Sequence, residues 1–408
     1  MTAGKRRRAD ADEAQASGTG PAPRGEAVAA PGELVSWQEA GESRSARWRS
    51  ASGAPPPRRV VVVDDRISAD AAYRLACEGT ALLWRGDFQN ARQLLQALAR
   101  RVERSRRSRG TAVATAEAFH RYRLAQAQRA HTLGMLLIQF DADHRIPLRR
   151  APDVRQACVE AFGAMAEPYV STLRELQGAI GAHEWRKKGV PVPALGAPVH
   201  PHYGMFAPTR GEYVDLVARA PLPRDCDLAF DVGTGTGVLA AVLARRGVQR
   251  VVATDNDPRA LECARDNVAR LRLSDRITVV PADLFPEGRA TLAVCNPPWI
   301  PGRPASLLEH AIYDPDSRML RGFVAGLAPH LQPGGEGWLV LSDIAEHLGL
   351  RTRDQLLAWF DEAELEVLAR LDARPVHPRR DDPDDPLHAA RAAEVTSLWR
   401  LAPADRRR

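Results

Sequence analysis

The stretch Leu228-Ala-Phe-Asp-Val-Gly-Thr-Gly-Thr-Gly237 decides how the second half of this chain folds. An apolar run ending in an acid and then in three alternating glycines reads as a buried strand, a tight turn and a helix start. Leu228 to Asp231 is the expected strand, Gly233, Gly235 and Gly237 the turn, and Val238 to Arg246 the helix. Outward from it, Arg250 to Asp255, Arg276 to Val280, Thr291 to Cys295 and Gly337 to Leu341 read as further strands separated by helical stretches. Strands that alternate with helices point to a doubly wound, Rossmann-like sheet. Leu365 to Leu371 and Val395 to Leu401 are expected to complete seven strands, the last one inserted antiparallel.

Asn296-Pro-Pro-Trp299 follows the fourth of these strands. Open α/β sheets bind ligands at the carboxyl ends of their strands, so Asn296 is placed for chemistry. A planar NH2 group has its lone pair delocalised into a ring or an amide. The Asn296 amide oxygen and the Pro297 carbonyl can each accept one of its N–H groups, and they stabilise positive charge developing on that nitrogen. Two prolines hold the backbone so that the carbonyl points inward. Trp299 can stack on the target plane, worth roughly 1–3 kcal/mol for a base. No strong base is required, because a methylated nitrogen becomes acidic and sheds its proton later. The alternative is a rigid turn with Trp299 in the core.

The glycines let backbone approach a nucleotide-like cofactor closely. Asp255 ends the second strand, where a carboxylate accepts from ribose hydroxyls; its alternative is a cap for the helix at Pro258, a role that Asp257 fills better. Asp283 follows the third strand, where an acid can accept from an adenine amino group; the alternative is a plain loop acid. Together with Asn296, these positions predict methyl transfer from S-adenosylmethionine to nitrogen.

The bulk of the chain bounds the rest. Its 408 residues are enough for two domains. A net charge of +6, carried almost wholly by arginine, favours anionic partners. Fourteen arginines face five acidic residues between Arg85 and Arg150, an excess larger than the charge of the whole chain. Phosphates reward such a concentration, and nucleic acid, RNA first, is the expected partner of these helices; a solvated helix face is the bland alternative. Five cysteines stand singly, so neither a zinc site nor a disulfide framework is expected, and the His377 to His388 acidic stretch reads as a loop in preference to a metal site. No apolar run reaches a membrane span and no signal-peptide core follows Lys5–Arg8, which together predict a cytoplasmic protein without membrane contact.

Four regions are expected. Residues 1–57 read as a disordered basic tail, 58–186 as a mainly helical substrate-recognition domain, 187–201 as a Pro- and Gly-rich linker, and 202–404 as the catalytic domain.

Asp231 to Gly237, Asp255, Asp283 and Asn296 to Trp299 resemble the class I S-adenosylmethionine-dependent methyltransferases, in the Asn-Pro-Pro-aromatic, small-domain group that methylates amino nitrogens. The resemblance covers roughly residues 200 to 402. It implies that Gly233, Gly235 and Gly237 line the methionine part of the cofactor, that Asp231 belongs to the same cofactor site, that Asp255 holds the ribose and Asp283 the adenine, and that Asn296, Pro297 and Trp299 take the target. That group includes ribosomal RNA methyltransferases and the release-factor glutamine methyltransferases. Phe206-Ala-Pro-Thr-Arg-Gly-Glu212 resembles the segment that closes over the cofactor in the latter, although the order of Pro208, Thr209 and Arg210 differs and Trp299 replaces their tyrosine. The implied activity is N-methylation of an exocyclic amino group in rRNA or tRNA, with a protein glutamine as the alternative substrate.

Overall fold

The chain folds into two main sheets, one in each half, and residues of both halves line one cleft. The computed structural model describes residues 33–107, 116–375, 382 and 385–404, and the chain from Glu33 onward clusters as one compact unit.

The N-terminal sheet has six strands: β1 (Leu34–Glu39), β2 (Glu42–Trp48), β3 (Arg59–Val63), β4 (Thr80–Trp84), β5 (Leu136–Phe140) and β6 (Tyr169–Thr172). Their order is β1-β2-β6-β5-β4-β3, and the sheet curls until β1 lies against β3. Five helices cover it: α1 (Ala69–Cys77), α2 (Phe88–Arg107), α3 (Ala116–Gly134), α4 (Arg155–Phe162) and α5 (Leu173–Lys188). Ser68 caps α1 through Ala71 N–H, and Thr172 caps α5 through Glu175 N–H.

Two expectations need correction here. The tail expected over residues 1–57 contains ordered structure: β1 and β2 form a hairpin closed by Ala40 and Gly41, both at positive φ (53° and 83°). Two such residues suit a tight hairpin turn. Val35 and Trp37 alternate with polar residues and bury their side chains, a period of two inside a polar, arginine-rich stretch. Lys5–Arg8 lies outside the described residues. In 58–186 the expected helices are present, but they pack on a sheet, not only on one another. Thr80–Trp84 is buried at every position, and its run of four apolar residues after Thr80 has no alternation to betray it.

The expected linker 187–201 is instead a small hairpin. β7 (Val190–Val192) pairs with β8 (Ala197–Val199) around a 3-10 turn at Pro193–Leu195. Val192, Leu195 and Val199 are buried in the core of the C-terminal half. The His200 N–H donates to Asn267 Oδ1 (2.7 Å), and Asn267 Nδ2 donates back to the His200 carbonyl (3.1 Å). The prolines rigidify this connection and do not loosen it.

After α6 (Glu212–Arg219) come β9 (Leu228–Val232), α7 (Val238–Arg245), β10 (Arg250–Asp255), α8 (Pro258–Arg270), β11 (Ile277–Pro281) and β12 (Ala290–Cys295). The short β13 (Ile300–Pro301) and β14 (Tyr313–Asp314) pair with each other before α9 (Arg318–His330) and the long β15 (Leu331–Ser342). Then follow α10 (Ile344–His347), α11 (Arg353–Glu362), β16 (Leu365–Ala373), α12 (His388–Ala393) and β17 (Thr396–Pro403). The seven-stranded order is β11-β10-β9-β12-β15-β17-β16, with β17 antiparallel to both neighbours. This is the Rossmann-like doubly wound arrangement expected from the sequence. Phe230, Val232, Cys295, Leu339 and Leu341 bury one face against α9 and α11, while Ala229, Val294, Trp338 and Val340 bury the other.

Candidate active site

Strand register puts the motif residues side by side. In the parallel sheet Val232 pairs with Cys295 and also with Thr254, and Asp255 pairs with Pro281. Gly233, Asn296, Asp255 and Asp283 therefore stand in a row just past the carboxyl ends of four neighbouring strands. Between β9 and β12 the chain reverses the direction in which it adds strands, and the crevice opens there.

The glycine turn is built from three left-handed residues: Gly233, Gly235 and Gly237 have φ of 73°, 55° and 81°. A Cβ on Gly233 would collide with Met319 Cε, whereas one on Gly237 would only touch Ala264, at 3.4 Å, so there the positive φ is what favours glycine. A Cβ on Gly235 would point into open space in the cleft. Asp231 holds the turn from beneath, accepting from Thr234 Oγ1 (2.6 Å) and Ala240 N–H (2.9 Å). Its burial pushes the carboxyl up to about 6, against the pull of those two bonds.

Asp255 accepts from the N–H groups of Gly235 (3.0 Å) and Asp257 (3.0 Å). Asp257, not Asp255, caps α8, through Arg259 N–H. Burial raises the Asp255 carboxyl too. Thr254 Oγ1 donates to the Leu284 carbonyl (2.5 Å), and Leu284 takes the left-handed φ of 79°, rare for a branched side chain. Asp283, next to it, sits at the exposed rim and pairs with Arg318 (2.7 Å).

Asn296 is half-buried and Pro297 buried. Trp299 is not presented as a free stacking face. Its indole Nε1–H donates to Asn296 Oδ1 (2.9 Å), and the Arg210 guanidinium lies over its ring, 4.9 Å from the centroid. Arg210 is held by Glu212 (2.6 Å) and Glu394 (3.0 Å), and Glu394 also accepts from Ser342 Oγ (2.7 Å). The sequence picks out Arg210 and Glu212 as a cluster; Glu394 lies 184 residues from Arg210, and nothing local announces it.

These residues open into a cleft of about 2150 Å³ that continues along the N-terminal half. Tyr122, His131, Arg174, Trp185 and Tyr203 line it there. Helix α3 docks on the segment before α9: Arg123 donates to Glu309 (2.9 Å) and to the Arg303 carbonyl (2.5 Å), and packs 3.8 Å from the Tyr313 ring centroid. Phe119, Tyr313, Ile344, Leu348 and Leu387 form an apolar cluster beside it.

Many arginines of the basic stretch pair with acids of the chain itself. Arg85 binds Glu39 through two bonds (2.7 and 2.9 Å) and holds that carboxyl down at about 2. Arg150 and Arg149 converge on the fully buried Asp87, which they likewise keep at about 2. Arg101, Arg129 and Arg145 pair with Asp70, Glu103 and Asp141. The side chains of Arg106, Arg107 and Arg109 lie outside the described residues, as does most of the acidic loop before His388. Among the described residues no three His, Cys, Asp or Glu side chains group to hold a metal, and no helix is long and apolar enough to cross a membrane.

Residues 202–366 match the methyltransferase small domain family model. Among curated proteins, the chain is 35% identical over 129 residues to a ribosomal protein L11 methyltransferase of Sorangium cellulosum, covering 32% of this chain and 33% of that protein. It is 36% identical over 115 residues to a tRNA1(Val) (adenine(37)-N6)-methyltransferase of Porphyromonas gingivalis, covering 24% and 44%. It is 38% identical over 149 residues to a release factor glutamine methyltransferase of Mycolicibacterium smegmatis, covering 33% and 52%. The chain thus spans between a third and about half of the length of these relatives. The cleft's donor set fits S-adenosylmethionine: a left-handed glycine turn open to the crevice at Gly235, two carboxylates beside it, and an amide acceptor on the next strand.

Proposed function

We propose that this chain is an S-adenosylmethionine-dependent N-methyltransferase acting on the exocyclic amino group of a base in RNA. The register that sets Asn296 beside Gly233 carries this reading, because it brings an amine acceptor next to a cofactor cradle. Gly233, Gly235 and Gly237 hold the methionine part, with Asp231 bracing the turn; Asp255 accepts from the ribose and Asp283 faces the adenine. Bound there, the cofactor supplies an electrophilic methyl group on a positively charged sulfur.

Asn296 Oδ1 and the Pro297 carbonyl each accept one N–H of the target. They hold its nitrogen with the lone pair toward the methyl group and offset the positive charge that grows there. With its N–H groups so held, the target nitrogen would meet the cofactor's methyl group with its lone pair, and the proton it sheds on methylation would pass to water, no basic side chain being required. A base within a duplex has to be flipped out to enter the cleft. Support for RNA comes from the tRNA adenine relative and from Arg174 and Arg58 in the cleft wall. The internal pairing of so many basic-stretch arginines favours a second reading, methylation of a glutamine side-chain amide in a protein, which has the same planar NH2 and a relative of its own.

The test supplies tritiated-methyl cofactor with total RNA and, separately, total protein from cells lacking the gene. Label entering RNA with the native enzyme and lost in Asn296→Ala supports the first reading. Label entering a protein band moves the assignment to glutamine, and no label in either removes both.

A further inference from the structure

We propose that Trp299 is a positioning residue that acts through Asn296, by its indole N–H, and not a stacking platform for the target. This rests on the reading of Asn296 as the amine acceptor. An asparagine amide has one end that accepts and one that donates, and a half-turn exchanges them. With the NH2 end toward the target, Asn296 would face donor to donor and could not hold an amine. An indole N–H only donates, so its 2.9 Å contact selects the orientation with Oδ1 on the Trp299 side. A carbonyl oxygen has two lone pairs, and one remains for a target N–H.

The indole is itself held. Arg210 lies over its ring and is fixed by Glu212 and Glu394, whose side chains are only 8% and 7% exposed. Glu394 is fixed in turn by Ser342 at the end of β15. The ring also packs against three separate apolar clusters, which leaves little of it for a base to cover. Asn296, Trp299, Arg210, Glu394 and Ser342 thus form one line of contacts from the end of β12 to the entrance of β17. A phenylalanine at position 299 keeps the packing and has no N–H to give.

The experiment combines two readouts on the full chain. The first is the indole N–H spectrum of protein labelled with 15N-tryptophan, in which the Trp299 signal is the one missing from Trp299→Phe. That signal is expected to move in Asn296→Ala, and its failure to move overturns the hydrogen bond. The second is the rate of tritiated-methyl transfer to total RNA, or to total protein, from cells lacking the gene. Trp299→Phe is expected to slow transfer about tenfold through misorientation. Cofactor affinity by calorimetry is expected to hold within about twofold, and adding Trp299→Phe to Asn296→Ala is expected to cost less than about twofold more. Full or increased activity in Trp299→Phe, or losses that multiply in the double variant, overturn the proposal. Arg210→Lys, which keeps the charge but takes the guanidinium from over the ring, is expected to move the same signal and slow transfer; if Trp299→Phe does not fold, its transfer rate takes that variant's place. A native enzyme that labels neither RNA nor protein sinks the proposed activity, whereas the indole spectrum still decides the contact.

Discussion

The glycine turn after β9 and the basic stretch from Arg85 to Arg150 were equally conspicuous in the sequence, yet they behave differently in the fold. In the turn, the residue types are required by backbone geometry within a few positions: all three glycines adopt left-handed φ, and Asp231 binds Thr234 and Ala240 nearby. In the basic stretch, what each arginine does depends on which acid the fold brings to it. Arg85 reaches back to Glu39, Arg149 and Arg150 close on Asp87, and Arg123 crosses to Glu309, 186 residues away. Local conformation can be read from local sequence; the partner of a long, flexible charged side chain cannot.

The largest expected effect tests the half in which chemistry follows from motif. Asn296→Ala should lower methyl transfer about 100-fold, as loss of one charge-stabilising contact typically does. Cofactor affinity, followed by calorimetry, should change little; an equal loss in both would make Asn296 a cofactor contact. Gly233→Ala comes next. Its Cβ must displace the Met319 methyl at a φ that disfavours alanine, so cofactor affinity should fall tenfold or more, from about 1–3 kcal/mol of overpacking and strain. Met319→Ala in the same chain should recover part of the loss, and no recovery would locate the problem in the backbone alone.

On the other side of the comparison, Arg123→Ala removes an ion pair, a carbonyl contact and a ring contact between the halves. Thermal unfolding should register a loss of about 2 kcal/mol. An unchanged melting temperature would mean that α3 docks by its apolar residues alone. A smaller effect follows from pH. Burial holds the Asp231 carboxyl up at about 6 and raises Asp255 as well, so both keep protons to higher pH than ordinary acids. Their ionised forms attract a cationic ligand, and cofactor affinity should therefore weaken several-fold as pH falls from 7 through 6 to 5. Asp231→Asn should flatten that profile. Least of all, Arg104→Ala, at an exposed position on α2, should leave stability within about 0.5 kcal/mol. RNA affinity that also stays unchanged would count against the helices as a phosphate grip.

Legibility followed the same division inside the fold. The strands at the centre of the C-terminal sheet were readable because β9, β10 and β12 are short, largely apolar runs bounded by turn residues. The N-terminal sheet was not: β4 has no alternation, β1 and β2 lie in a polar stretch, and the helices around them carry the stronger periodic signal. The hairpin at 190–199 hid behind its prolines, which mark loops and rigid edge strands alike.

Sequence alone determined the glycine turn, the strand-ending acids, the Asn-Pro-Pro-Trp segment and the sheet they belong to. All of these depend on interactions a few residues long or on a repeated strand–helix pattern. Only the tertiary structure decided that Trp299 gives its N–H to Asn296, that Glu394 holds Arg210, that Arg85, Arg149 and Arg150 of the basic stretch pair with Glu39 and Asp87, and that the cleft runs into the N-terminal half. Those contacts join residues that the chain separates widely or side chains with many rotamers, and only packing chooses among them.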